Sequence, residues 1–364
     1  MKNKVPQKSP GIEIDNHIIG KNHTPFIVAE MSGNHNQSLD RALEIVEAVA
    51  QSGAHALKLQ TYTADTITLD LKEGEFFIND PNSLWEGQSL HSLYKKAYTP
   101  WEWHEKIIKK CRGLGLTVFS TPFDETSVDF LESLDVPAYK IASFENVHLP
   151  LLRKVASTGK PVIMSTGMAT LSELDEAVSE IRKTGNSKVI LLKCTSSYPA
   201  SPENANILTI PHLRELFGCD VGISDHVMGI GVAIAAVAVG AVMVEKHFTL
   251  KRDDGGIDSA FSIEPKELKM LVTESHKAWQ SLGCIKYGPT DAEKESARYR
   301  RSIYVSQDIN KGDLLTEKNL RIVRPGFGIL PKYYDMFLGK KASVDVKKGT
   351  PVNWSLILGK EAGA

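Results

Sequence analysis

Eight short runs of β-forming residues in this chain of 364 each end in groups able to do chemistry. The first ends in Glu30, the second in Lys58 and Gln60, the third in Ser120-Thr121, and the fourth carries Lys140 and Ser143. The fifth ends in Ser165-Thr166, the sixth runs from Lys193 to Tyr198, the seventh ends in Ser224-Asp225-His226 and the eighth in Glu245-Lys246-His247. Any one of these residues reads as a solvated strand position. Together, in strands buried on both faces, lone lysines and glutamates are costly unless they pair with one another or with a ligand. A shared polar pocket accounts for all of them. Ion pairing of Lys58 and Lys140 with Glu30 and Glu245 across a barrel interior is the competing account.

The chemistry such a pocket offers is anion binding. Lysines from at least two strands, with hydroxyls from Thr121, Ser143 and Ser196, suit a phosphate or phosphate-carboxylate ligand. His226 and His247 end neighbouring runs, where two imidazoles can converge on a divalent cation, with Glu30 close by, and leave its other positions to water and substrate. Two rival readings stand beside this one. Lys140, Lys193 and Lys246 are candidate nucleophiles for a Schiff-base aldolase. A carbohydrate-binding protein that keeps a barrel only as scaffold would place its activity in the C-terminal module.

The elements that must position these groups alternate. The β-rich runs are Phe26–Glu30, Ala56–Gln60, Leu116–Ser120, Ala138–Ala142, Pro161–Thr166, Val189–Cys194, Val221–Asp225 and Ala241–Phe248. Helical periodicity falls between them, as in Leu39–Ser52, Trp101–Arg112, Thr126–Leu134 and Leu171–Lys183. Alternating strand and helix implies a parallel sheet. Eight units over residues 26–282 fit an α/β fold of the (β/α)8 TIM-barrel type better than an open doubly wound sheet. Gly53, Gly113, Gly159 and Gly185 stand where helix C-caps belong. Leu69–Thr99, longer than an ordinary connection, interrupts the repeat as a candidate lid or substrate loop.

The barrel is expected over residues 1–282 and a charged, turn-rich linker over 283–301, with a small β-rich domain over 302–364. Two similar phrases, Asp308–Thr316 and Asp345–Asn353, read there as strand–turn–strand units. A formal net charge of -1 offers no global field for nucleic acid or an acidic membrane. Cys111, Cys194, Cys219 and Cys284 are too scattered for a disulfide framework or zinc knuckle. The N-terminus is polar, and the longest apolar run, Val232–Val244, is too short to span a bilayer, so a cytoplasmic location is expected.

An ordered set of phrases resembles the sialic acid synthase family across essentially the whole chain. It comprises residues 29–36 (AEMSGNHN), 57–61 (LKLQT), 139–143 (YKIAS), 193–199 (KCTSSYP), 222–226 (GISDH) and 245–249 (EKHFT). Residues 324–329 (RPGFGI) look like the antifreeze-like (SAF) module that closes these synthases. Residues 60–66, 83–87, 98–104 and 253–256 look like the pseudaminic acid branch, with the neuraminic and legionaminic branches as alternatives. Ser196 stands where neuraminic synthases commonly have asparagine, and Ile257 where a proline is usual.

The resemblance implies condensation of phosphoenolpyruvate with an open-chain 2,4-diacetamido-2,4,6-trideoxy hexose, assisted by Mn2+ or Mg2+ on His226 and His247. It implies Glu30, Glu245 and Asp258 as catalytic residues. Lys58, Gln60, Thr121, Lys140, Ser143, Ser196, Tyr198 and Ser224 would bind substrate. It also implies a homodimer in which the C-terminal module leans over the partner barrel and offers Arg324 to the sugar.

Overall fold

The computed structural model describes residues 11–81 and 83–358. The polar N-terminal residues 1–10, Asn82 and residues 359–364 lie outside it. The chain divides after Gly283 into two compact units.

The first unit is a closed barrel of eight parallel strands. A short antiparallel hairpin, β1 (Ile12–Ile14) and β2 (His17–Ile19), precedes β3 (Phe26–Glu30), β4 (Ala56–Thr61), β5 (Thr117–Pro122) and β6 (Tyr139–Ile141). The barrel continues through β7 (Val162–Ser165), β8 (Val189–Cys194) and β9 (Asp220–Ser224), and β10 (Met243–His247) closes it against β3. All eight sequence-predicted runs are strands, with ends shifted by one or two residues. The helices Leu39–Ser52 and Leu171–Lys183 match their predicted bounds. Ser38 caps the first, and a Thr170–Glu173 capping box opens the second. Gly53, Gly159 and Gly185 take positive φ at helix ends as expected, but Gly113 is still helical and Gly115 makes the left-handed turn.

Strand parity decides what faces the barrel axis, because successive side chains point to opposite faces. On β3, Ile27 and Ala29 pack outward with the helix layer, while Phe26 and Val28 join an inner cluster with Ala56, Phe119, Ala138, Ile163, Ile190 and Met243. Ile14 and Ile19 of the hairpin belong to that inner cluster and plug the N-terminal end of the barrel. Continuing the same parity toward the strand C-termini brings Glu30, Lys58, Gln60, Thr121, Lys140, Ser165, Cys194, Ser224, Glu245 and His247 inward. Gly222 is needed on β9, where a Cβ would lie 2.4 Å from the Met243 carbonyl oxygen.

In the second unit, β11 (Ser302–Val305) pairs antiparallel with β12 (Leu320–Val323) over a core that includes Ile303, Val305, Ile309, Leu315, Phe337 and Val352. The two similar phrases are not separate strand–turn–strand units. They bridge to each other, Ile309 to Val346, and turn at Gly312 and Gly349, both at positive φ. Among the described residues, no helix is long and apolar enough to cross a membrane.

Candidate active site

The C-terminal mouth of the barrel opens into a cavity of about 400 Å³ lined by Glu30, Lys58, Gln60, Thr121, Lys140, Ser143, Tyr198, Ser224, His226, Glu245, His247 and Asp258. Twelve of the fourteen site residues read from the sequence therefore converge. The other two are Ser196 and Arg324. A larger depression of about 620 Å³ between Pro202–Thr209 and the helix Gly231–Ala238 holds no lysine.

The charged groups of the cavity pair with one another, as the competing account expects. Lys58 Nζ stands 2.7 Å from Glu30 Oε1 and 3.6 Å from Glu245 Oε1, and Lys140 Nζ lies 3.5 Å from Glu245 Oε1. Lys58 also donates to Thr121 Oγ1 at 3.3 Å and Lys140 to Ser165 Oγ at 2.7 Å. Gln60 Nε2 donates to Glu30 Oε1 at 2.7 Å, and Ser224 Oγ donates to Glu245 Oε1 at 3.0 Å. Yet Glu245 Oε2 has no hydrogen-bond partner despite its burial. The network is incomplete without a ligand.

Burial opposes ionisation of Glu30, but the His247 ring and the Lys58 ammonium outweigh it and hold the carboxyl well below its usual range. Burial lowers His247 to about 4, so near neutrality Lys58 supplies the positive charge that holds Glu30 down. On Lys58, burial is outweighed by Glu245 and Glu30, which raise it; on Lys140, burial prevails over Glu245 and lowers it. Burial also raises Asp258 to about 6 against the hydrogen bond from Ser32.

His226 and His247 face each other with ring centroids 5.3 Å apart. His226 Nδ1 lies 3.0 Å from the Thr195 carbonyl oxygen, which fixes it as the N–H and leaves Nε2 as the acceptor nitrogen. His247 Nε2 is 3.2 Å from Glu30 Oε2, while its Nδ1 is buried without a hydrogen-bond partner, 3.7 Å from Asp258 Oδ2. An orphaned imidazole nitrogen beside carboxylates fits a divalent cation. Among the described residues no set of three or more His, Cys, Asp or Glu has metal-holding geometry, so the protein offers the imidazoles and leaves remaining positions to water and substrate.

Ser143, Ser196 and Gly167 form a smaller feature. Ser143 Oγ accepts from the Gly167 N–H at 3.2 Å, and a Cβ on Gly167 would stand 2.2 Å from Ser196 Oγ and 2.5 Å from Ser143 Oγ. Ser196 thus closes a hydroxyl niche behind the cavity. Arg324 is exposed in the second unit, just past β12.

Two of the candidate Schiff-base lysines point the other way. Lys246 is outward on β10, its ammonium 2.8 Å from Asp225 Oδ2 and bonded to the Val227 carbonyl. Lys193 is outward on β8 and donates to Thr195 Oγ1 at 2.8 Å. Lys140 alone of the three faces the cavity.

Sequence reading missed Glu145, which follows Ser143 by two residues in a 3-10 turn after β6 and lines the cavity. Burial lifts its carboxyl to about 7, with Lys140 opposing, and its Oε2 has no partner. It also missed Gly167 and Cys194. Burial raises the Cys194 thiol, but the hydrogen bond to His226 outweighs it and brings it to about 7. The 193–199 phrase contained Cys194 but assigned it no role.

Residues 45–287 match the NeuB family, and residues 300–358 match the SAF domain. The chain belongs to the NeuB family. It is 44% identical over 331 residues to the pseudaminic acid synthase of Helicobacter pylori, covering 90% of this chain and 96% of that one. It is 38% identical over 331 residues to the N,N'-diacetyllegionaminic acid synthase of Campylobacter jejuni, covering 89% and 97%. Among solved structures, the N-acetylneuraminic acid synthetase of Leptospira borgpetersenii in complex with citrate superposes with a TM-score of 0.70. That structure is 35% identical and covers 78% of this chain and 94% of its own.

Proposed function

We propose that this NeuB-family chain is a transferase that condenses phosphoenolpyruvate with the open-chain form of 2,4-diacetamido-2,4,6-trideoxy-beta-L-altropyranose and water, giving pseudaminic acid and phosphate. The observation that carries the reading is one cavity holding inward lysines beside a hydroxyl niche together with two facing imidazoles. The 44% identity with the Helicobacter pylori synthase favours the pseudaminic branch over the legionaminic one.

C3 of phosphoenolpyruvate forms the new bond to the aldehyde carbon, water adds at C2, and the C2–O bond breaks to release phosphate. Lys58 and Lys140 offset the charge of phosphoenolpyruvate, while Thr121, Ser143, Ser196, Tyr198 and Ser224 fix its orientation. Gln60 orients either substrate. Glu30, ionised beside Lys58, stabilises the cationic C2 centre or takes a proton from the attacking water. Glu245 and Asp258 orient substrate hydroxyls. Glu145 lies nearest neutrality of the cavity carboxyls and suits proton exchange with the substrate. A divalent cation held by His226 and His247, with Mn2+ favoured over the more reluctantly dehydrated Mg2+, supplies Lewis-acid polarisation of the aldehyde.

The working unit on this reading is a cytoplasmic homodimer in which Arg324 of one copy reaches the sugar bound in the other. Residues 1–282 form its catalytic domain and 302–364 its SAF domain, joined by a linker over 283–301. Phosphate release should occur with the altrose sugar, depend on added Mn2+ and stop with EDTA. N-acetylmannosamine and the mannose-configured diacetamido sugar should release little. Preference for either moves the branch, and borohydride trapping of pyruvate on Lys140 without metal dependence would establish an aldolase instead.

A further inference from the structure

Leu69–Thr99 contributes a wall of its own to the cavity. Ile78 and Gly87 close a small hairpin through Ile78 N–H to the Gln88 carbonyl and Gly87 N–H to the Ile78 carbonyl, each 2.9 Å. At its base, His91 on the helix Leu90–Ala97 reaches Asp65 at 3.0 Å and Asp70 at 3.4 Å. The hairpin carries Trp85, whose indole N–H donates to the Ile257 carbonyl at 3.3 Å. Its ring lies 6.2 Å from that of Tyr198, which is itself 4.5 Å from His226. The insertion is therefore pinned across the mouth beside the imidazoles.

What it presents there is apolar. Ile78, Trp85, Leu90, Leu93 and Tyr94 line the cavity from the insertion, with Ile257 on the loop that Trp85 holds. Trp85 already spends its one donor on Ile257, so Tyr94 is left as the wall's only side chain with a polar atom to offer. A hydroxyl pressed against this surface loses water without gaining a partner, whereas a methyl group gains by burial. The opposite end of the cavity, around Lys58 and Lys140, has the reverse character.

We infer that the insertion is a specificity wall that selects the deoxygenated end of the sugar, taking its C6 methyl group against Trp85 and Ile78. This rests on the condensing activity proposed above. With the aldehyde at His226 and His247, the remainder of the extended sugar runs toward Trp85 by way of Tyr198. Trp85 and Ile78 are positioning residues for that end and take no part in bond making.

The test compares kcat/KM for the 2,4-diacetamido-2,4,6-trideoxy sugar with that for its 6-hydroxy counterpart, read as phosphate release. The wild type should favour the deoxy sugar by about 10- to 100-fold, the range a hydrophobic pocket achieves against an added hydroxyl. Trp85→Ala and Ile78→Ser should each cut that ratio about tenfold and raise the sugar KM, leaving the phosphoenolpyruvate KM within about twofold. Trp85→Phe keeps apolar area while losing the bond to Ile257, and should keep most of the ratio. An unchanged ratio in both Trp85→Ala and Ile78→Ser, or a wild type indifferent to the 6-hydroxyl, overturns the wall while leaving the condensing activity standing. A wild type that turns over neither sugar overturns both.

Discussion

The two ends of the barrel are built from the same eight strands with the same alternation, yet they do opposite work. At the N-terminal end the inward residues are Phe26, Ala56, Phe119, Ile163, Ile190 and Met243, sealed beneath Ile14 and Ile19. One or two inward positions further along stand Glu30, Lys58, Thr121, Lys140, Ser165 and Glu245. Apolar packing at one end supplies the stability that a crowd of buried charges at the other does not. The polar end can then remain incompletely paired, with Glu245 Oε2, His247 Nδ1 and Glu145 Oε2 left for a ligand.

If that division holds, substitutions at the two ends must separate activity from stability. Lys140→Met should lower kcat/KM for phosphate release by about 1000-fold or more, as expected when a preorganised charge on the reacting group is lost. Its urea midpoint should hold or rise, because an isosteric apolar group no longer requires burial of an ammonium. Ile163→Ala, one inward residue from the network on β7, should cost about 2–5 kcal/mol in urea unfolding while activity per folded molecule stays near wild type.

Glu145 gives a smaller effect with a defined sign. Burial raises its folded pKa to about 7 from an ordinary 4.5, so its neutral form favours the folded state. Stability from this group is fully present below about 4.5 and is lost as pH rises through about 7. Relative to Glu145→Gln, the wild type should therefore lose on the order of 2 kcal/mol between pH 4.5 and 8 in urea titrations. A difference that is flat with pH would remove the buried acid. Smallest of all, Lys193→Met should change turnover by less than about threefold, since Lys193 faces away from the cavity; a large loss would return it to the site.

Much of this division is legible in the sequence. Strand and helix bounds follow from periodicity and caps, which is why Leu39–Ser52 and Leu171–Lys183 fall where expected. Strand-end chemistry is also visible. Parity is visible too and was underused, since on β8 and β10 it separates Cys194, Glu245 and His247 from Lys193 and Lys246. Loops carry no such period. Glu145 in a 3-10 turn, Gly167 against two serine hydroxyls and Trp85 on the insertion become evident only when distant segments meet. The same holds for the C-terminal phrases, whose repetition suggested two local units where the chain instead bridges one to the other.

The central claim is that the polar end of the barrel joins phosphoenolpyruvate to a sugar aldehyde by breaking the C2–O bond. It is tested most directly with phosphoenolpyruvate carrying 18O in the bridging position, the altrose sugar and Mn2+, followed by mass spectrometry of both products. The account predicts the label in the released phosphate and an unlabelled nine-carbon acid; label retained at C2 of the acid would contradict it.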